Sequence, residues 1–70
     1  GTVRQRAFLA ALADLTPDEQ MILALRIGER LSYQDIGTTC ELPTRTVMAR
    51  VSSAREHLRA RLGARARDAA

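Results

Sequence analysis

The sequence predicts an all-α fold, a small four-helix domain. Three observations carry that expectation. Apolar residues recur at spacings of three and four along most of the chain. Thr16-Pro17, Ser32-Tyr33 and Pro43-Thr44 stand where helices would begin. The 70 residues are rich in Ala, sparse in Val and Ile, and only 3 % aromatic, a profile that favours helix over sandwich or barrel.

The first helix is expected over about Val3 to Ala13. Phe8, Ala11, Leu12 and Leu15 share one face of it, with Arg4, Arg6 and Asp14 off that face. Thr16 is a good N-cap for the second helix, because its side-chain oxygen accepts from an amide with no partner in the helix. Pro17 suits the first helical position, and Glu19 completes a capping box. That helix runs to about Ile27 with Met21, Ile22 and Leu25 inward, and Gly28 ends it. Ser32 caps a third helix from about Tyr33 to Thr39. Pro43 breaks the chain by driving Leu42 away from helical dihedrals. Thr44 then caps the longest helix, whose apolar stripe is Val47, Val51, Ala54, Leu58 and Leu62. Gly63 reads as its stop, so residues 1–63 form the domain and 64–70 a basic, frayed tail.

Inventory excludes much chemistry. Cys40 is the lone cysteine and His57 the lone histidine, so no zinc set, hydrolytic triad or Cys-x-x-Cys pair can be assembled. The four glycines are scattered and form no phosphate loop. The expectation is a non-enzyme without metal or cofactor. No run of about 18 apolar residues would span a membrane, and no leader opens the chain. A reducing, cytoplasmic setting is the default for such a chain. Opening on Gly1, it reads as an excised piece of a longer protein.

All 11 cations are Arg, and net charge is +3. Residues 1–44 hold four Arg against six acids, and residues 45–70 hold seven Arg against Glu56 and Asp68. The asymmetry reads either as an anionic partner for the C-terminal half or as a solvated helix with a basic tail. A short helix, a tight turn and a longer basic helix make a helix-turn-helix. In such a motif the first turns of the second helix enter the major groove. The face opposite the apolar stripe carries Arg45, Met48, Ala49, Ser52, Arg55, Glu56 and Arg59.

Longer strings sharpen this. Leu15-Thr16-Pro17-Asp18-Glu19-Gln20, Leu25-Arg26 and Leu31-Ser32-Tyr33-Gln34-Asp35-Ile36-Gly37 resemble region 4 of bacterial sigma factors. So do Leu42-Pro43-Thr44-Arg45-Thr46-Val47-Met48-Ala49-Arg50-Val51 and Ala54-Arg55-Glu56. The extracytoplasmic-function group is the most similar. The likeness spans about Val3 to Leu62. It implies a monomeric module of a longer initiation factor that reads the promoter −35 element in double-stranded DNA. It also implies docking on the β flap of RNA polymerase, and an anti-sigma factor as a further partner. By the same resemblance Arg26, Tyr33, Gln34 and Thr46 lie on the DNA backbone. Arg55 is read either as another phosphate contact or as a solvating charge. Backbone contacts position a domain without reading sequence. Base reading falls to Arg45, Met48, Ala49 and Ser52, with Met or Ala suited to a thymine methyl.

The chain departs from the family pattern in informative places. Arg45 stands where a Gly is usual, and Met48 where a cation is usual; Glu41 and Arg30 replace turn glycines. A left-handed Glu41 would cost roughly 1–2 kcal/mol. The departures imply a non-standard promoter preference and weak intrinsic DNA affinity. Several positions also have plainer readings. Arg50 flanks the apolar stripe and is expected in a structural ion pair, although a phosphate is the other reading. Tyr33 packs inward in the alternative reading, Cys40 fills a small core site, and His57 lies on the surface. Two competing functions remain. One is a response-regulator DNA-binding domain of the LuxR/NarL type, which would prefer palindromes. The other is a module that docks polymerase or an anti-sigma helix through an apolar groove and binds DNA weakly.

Overall fold

Four helices form where the cap residues stand. The computed structural model describes residues 2–69; Gly1, and Ala70 of the expected tail, lie outside the described residues. Helix α1 spans Val3–Ala13, α2 spans Pro17–Leu23 and continues through a π-helical turn at Ala24–Gly28, α3 spans Tyr33–Cys40, and α4 spans Thr44–Ala69.

The local chemistry is that expected at two starts. The Thr16 hydroxyl accepts from the Glu19 amide at 3.2 Å, and the Thr16 amide donates to Glu19 Oε1 at 3.1 Å. The Ser32 hydroxyl accepts from the Asp35 amide at 3.0 Å. A further box, Thr2 with Gln5, starts α1. At α4 the expectation is corrected. The Pro43 carbonyl accepts from the Val47 amide at 3.1 Å, so Pro43 holds the cap position and Thr44 is the first helical residue.

Helix α4 is the common partner: α1, α2 and α3 each pack chiefly on it. Its buried stripe is Val47, Val51, Ala54 and Leu58, and these meet Ala11, Leu15, Ile22, Leu23 and Ile36. At 1.5 Å per residue α4 is roughly 39 Å long, which accounts for the molecule's 41 Å long axis. The helix does not stop at Gly63. Residues 64–69 continue it rather than fray, because Ala and Arg are strong helix formers and Arg65 is tied to Asp14 at 2.9 Å.

Two inward assignments are corrected. Met21 is 56 % exposed and Phe8 40 %. The buried positions of α2 are Ile22 and Leu23, one step round the helix from Met21, and they share their face with half-buried Glu19 and Arg26. In α1 the buried contact is made by Ala11 near its C-terminal end, which leaves Phe8 at the rim. Cys40 is half-buried beside the core, as expected.

Both turns around α3 carry a non-glycine residue in left-handed backbone: Arg30 with φ 58° and Glu41 with φ 57°. Gly37 is required for a different reason. A Cβ there would lie 2.7 Å from the Leu42 carbonyl oxygen, where the Leu42 amide also bonds the Gly37 carbonyl at 2.8 Å. Opposite stability changes are expected at these positions. Glu41→Gly raises the unfolding free energy by about 1 kcal/mol. Gly37→Ala lowers it by roughly 1–3 kcal/mol through forced displacement of the turn. Urea denaturation of the two variants checks both signs.

Candidate nucleic-acid interface

The helical register of α4 gathers Arg45, Met48, Ala49 and Ser52 on one exposed face, opposite the buried stripe. Met48 is 50 % exposed. Arg55, Glu56 and Arg59 extend that face towards the C-terminus and are exposed too. The start of α3 lies across the turn, and Gln34, Thr44 and Pro43 border one shallow depression there. Gln34 is exposed, whereas Tyr33 and Thr46 are half-buried. The first amides of α3 have no partner within the helix, apart from that of Asp35, which Ser32 satisfies.

Helical pattern alone puts Arg26 on an exposed face, and there the structure differs. The side chain is half-buried rather than exposed. Its Nη1 donates to the Leu31 carbonyl at 3.0 Å, and its guanidinium carbon lies 4.5 Å from the centre of the Tyr33 ring. Its Nε is buried with no acceptor among the described residues. Arg50 also differs. It is exposed, and the ion pairs among the described residues do not include it. It borders a groove with Met21, Ile22, Cys40 and Leu42, between α2, α3 and α4.

The ion pairs that do form decide which cations remain available. Asp14 accepts from Arg61 at 3.2 Å and from Arg65 at 2.9 Å. Glu19 pairs through Oε2 with Nδ1 of His57. Arg61 and Arg65 are thus engaged in holding α4 to the α1–α2 junction. Arg45, Arg55, Arg59 and Arg67 have no such carboxylate among the described residues. Sequence reading missed these ties. Partners 47 and 51 residues apart leave no local signal, and His57 looks like a plain surface residue, which its exposure still bears out.

The first turns of a long helix, with exposed side chains of mixed chemistry and unpaired arginines further along, form a surface that suits a DNA groove. The family model described as Sigma-70, region 4 matches residues 2–58, from the cap of α1 to the last buried leucine of α4. The chain belongs to the sigma-70 region 4 family. No curated protein and no solved structure matches it. Region 4 of sigma factors is a helix-turn-helix, DNA-binding part of the transcription initiation machinery and not a catalytic family. In sigma factors it binds promoter −35 DNA and the RNA polymerase core. Among the described residues, no helix of this region 4 domain is long and apolar enough to cross a membrane.

The two carboxylates give the domain a defined acid response. The hydrogen bond from Arg65 is the main influence holding Asp14 below its ordinary 3.8; partial desolvation opposes it and Arg61 adds to it. His57 chiefly, then the Thr16 amide, holds Glu19 below its ordinary 4.5. Lowered folded-state values mean stability that is present above the ordinary values and lost as pH falls through the lowered ones. Melting temperature is therefore expected to drop as pH is taken from 5 to below 3.8. Asp14→Asn should lower it at pH 6 and flatten the acid limb. A melting series in pH for both proteins checks this.

Proposed function

We propose that this chain is the −35 reading domain of an alternative sigma factor of the extracytoplasmic-function group. The observation that carries the proposal is the shared exposed face of Arg45, Met48, Ala49 and Ser52 on the first turns of α4. Those turns enter the major groove. Arg45 supplies a cation that can bond a guanine edge, Met48 and Ala49 offer apolar contact to a thymine methyl, and Ser52 gives a single hydrogen bond. Gln34, Tyr33 and the free amides at the start of α3 meet phosphate, as helix N-termini do. Thr46 and Arg55 flank the face and serve the same purpose, positioning without reading. The module acts as a monomer within a longer cytoplasmic protein, and an anti-sigma factor is a fitting regulator.

A docking function is favoured by a separate observation. Met21, Ile22, Cys40 and Leu42 line a groove between α2, α3 and α4, and Met21 on its edge is 56 % exposed. On this reading the β flap of polymerase or an anti-sigma helix covers such a surface, and DNA affinity of the isolated domain is low.

An affinity selection on random-sequence duplex at low salt separates the readings. An asymmetric motif of half-site size is expected, and Met48→Lys should change the base preferred at one position by adding a donor in the groove. A palindromic motif would favour a response-regulator type of domain instead. No enrichment would leave docking as the function.

A further inference from the structure

We propose that Arg30 is a further DNA-backbone contact, a phosphate anchor that this chain adds beside the start of α3. The inference rests on the DNA-reading function proposed above and adds one residue to it. What carries it is an exposed cation without a carboxylate partner, held in strained backbone next to the residues that face phosphate.

Arg30 stands in left-handed backbone, with φ 58°. Glycine takes that conformation freely and Asn or Asp visit it, whereas a long side chain is strained there. The bonds that close the turn are main-chain bonds, which a glycine would leave intact. The Glu29 amide donates to the Ala24 carbonyl at 3.0 Å, and the Leu31 amide to the Leu25 carbonyl at 3.0 Å. The Arg30 side chain itself adds nothing to the core. It is exposed, and the ion pairs among the described residues do not include it, even with its neighbour Glu29. Strain kept where the fold gains no contact from the side chain points to a role in binding.

The closed turn also fixes where Arg30 lies. Leu31 follows it directly. The Leu31 carbonyl accepts from Arg26 Nη1 at 3.0 Å, and the Arg26 guanidinium carbon lies 4.5 Å from the centre of the Tyr33 ring. Ser32 then caps α3 at the Asp35 amide. Two residues of chain span at most about 7 Å, so the α3 cap is within reach of an arginine at position 30.

Charge gives the position its use. Glu29 and Asp35 flank the α3 cap in sequence and are both exposed, so they repel a phosphate brought there. Arg26 is half-buried, and the base-reading row of α4 carries a single cation, Arg45. Arg30 offsets the two carboxylates and presents a planar fork of donors that matches phosphate.

The test uses the 70-residue chain and a generic duplex. Arg30→Gly removes the cation and relieves the backbone, so its melting temperature without DNA is expected to rise. A fall would show that the side chain serves the fold, and would overturn the inference. Binding is expected to weaken, with a slope of log affinity against log salt shallower by about 0.9. The advantage of the unmodified chain then shrinks roughly 3.5-fold between 50 and 200 mM salt. Arg30→Lys keeps the charge and should keep the slope. Arg4→Ala removes an equal charge from α1 and should keep the slope as well. An equal change of slope in Arg4→Ala would report net charge rather than contact, and it too overturns the inference. An unchanged slope in Arg30→Gly, against an unmodified chain that binds with salt dependence, removes Arg30 alone. If the unmodified chain shows no salt-dependent binding, the DNA-reading function fails and this inference fails with it.

Discussion

The fold depends on one seam. Val47, Val51, Ala54 and Leu58 form a single stripe on α4, and every other helix packs on it. A domain of this size has little core to share out, so the stripe both stabilises the chain and orients the opposite face. The side chains that stay exposed on α4 are those left when the stripe has turned inward. Asp14 and Glu19 secure the same arrangement further along, by holding Arg61, Arg65 and His57 against the α1–α2 junction. The exposed face of α4 is therefore a consequence of packing and needs no separate device to build it.

The motif is held by strain as well as by burial. Helix α3 is bracketed by Arg30 and Glu41, both left-handed and neither glycine. Each turn is backed by a bond to a helix main chain or side chain, Leu31 through Arg26 and Leu42 through Gly37. The close approach at Gly37 leaves no room for a side chain. Short turns of this kind fix the angle between α3 and α4, which in turn decides whether α3 amides and α4 side chains can reach one duplex together.

What is legible in the sequence is local. The caps at Thr16 and Ser32 announce themselves because a hydroxyl and an amide three residues on are all they need. The α4 stripe is legible because its period is unbroken. The face of α2 is not, because Met21, Ile22 and Leu25 fit a helical period as well as Glu19, Ile22, Leu23 and Arg26 do. Charge argues against the second set, yet Arg26 is held on that side by a bond to the Leu31 carbonyl and by stacking on Tyr33. The π-helical turn leaves no compositional mark, since it shifts bonds and not residue types. The end of α4 is hidden as well. Gly63 looks like a stop, while the tie from Arg65 to Asp14 is visible only once the chain is folded.

The charges that remain after folding give the functional account its substance. Of the C-terminal arginines, two are engaged with Asp14, and the others among the described residues face solvent without a carboxylate. The central claim is that the first turns of α4, with the start of α3, form the DNA face. Amide chemical-shift mapping by NMR, with the 70-residue chain titrated with duplex DNA at low salt, tests it most directly. The account predicts that perturbations concentrate on Gln34, Arg45, Met48, Ala49 and Ser52 and leave α1 unchanged. Perturbations centred on Val3, Phe8 and Leu9, or spread evenly over the arginines, would contradict it.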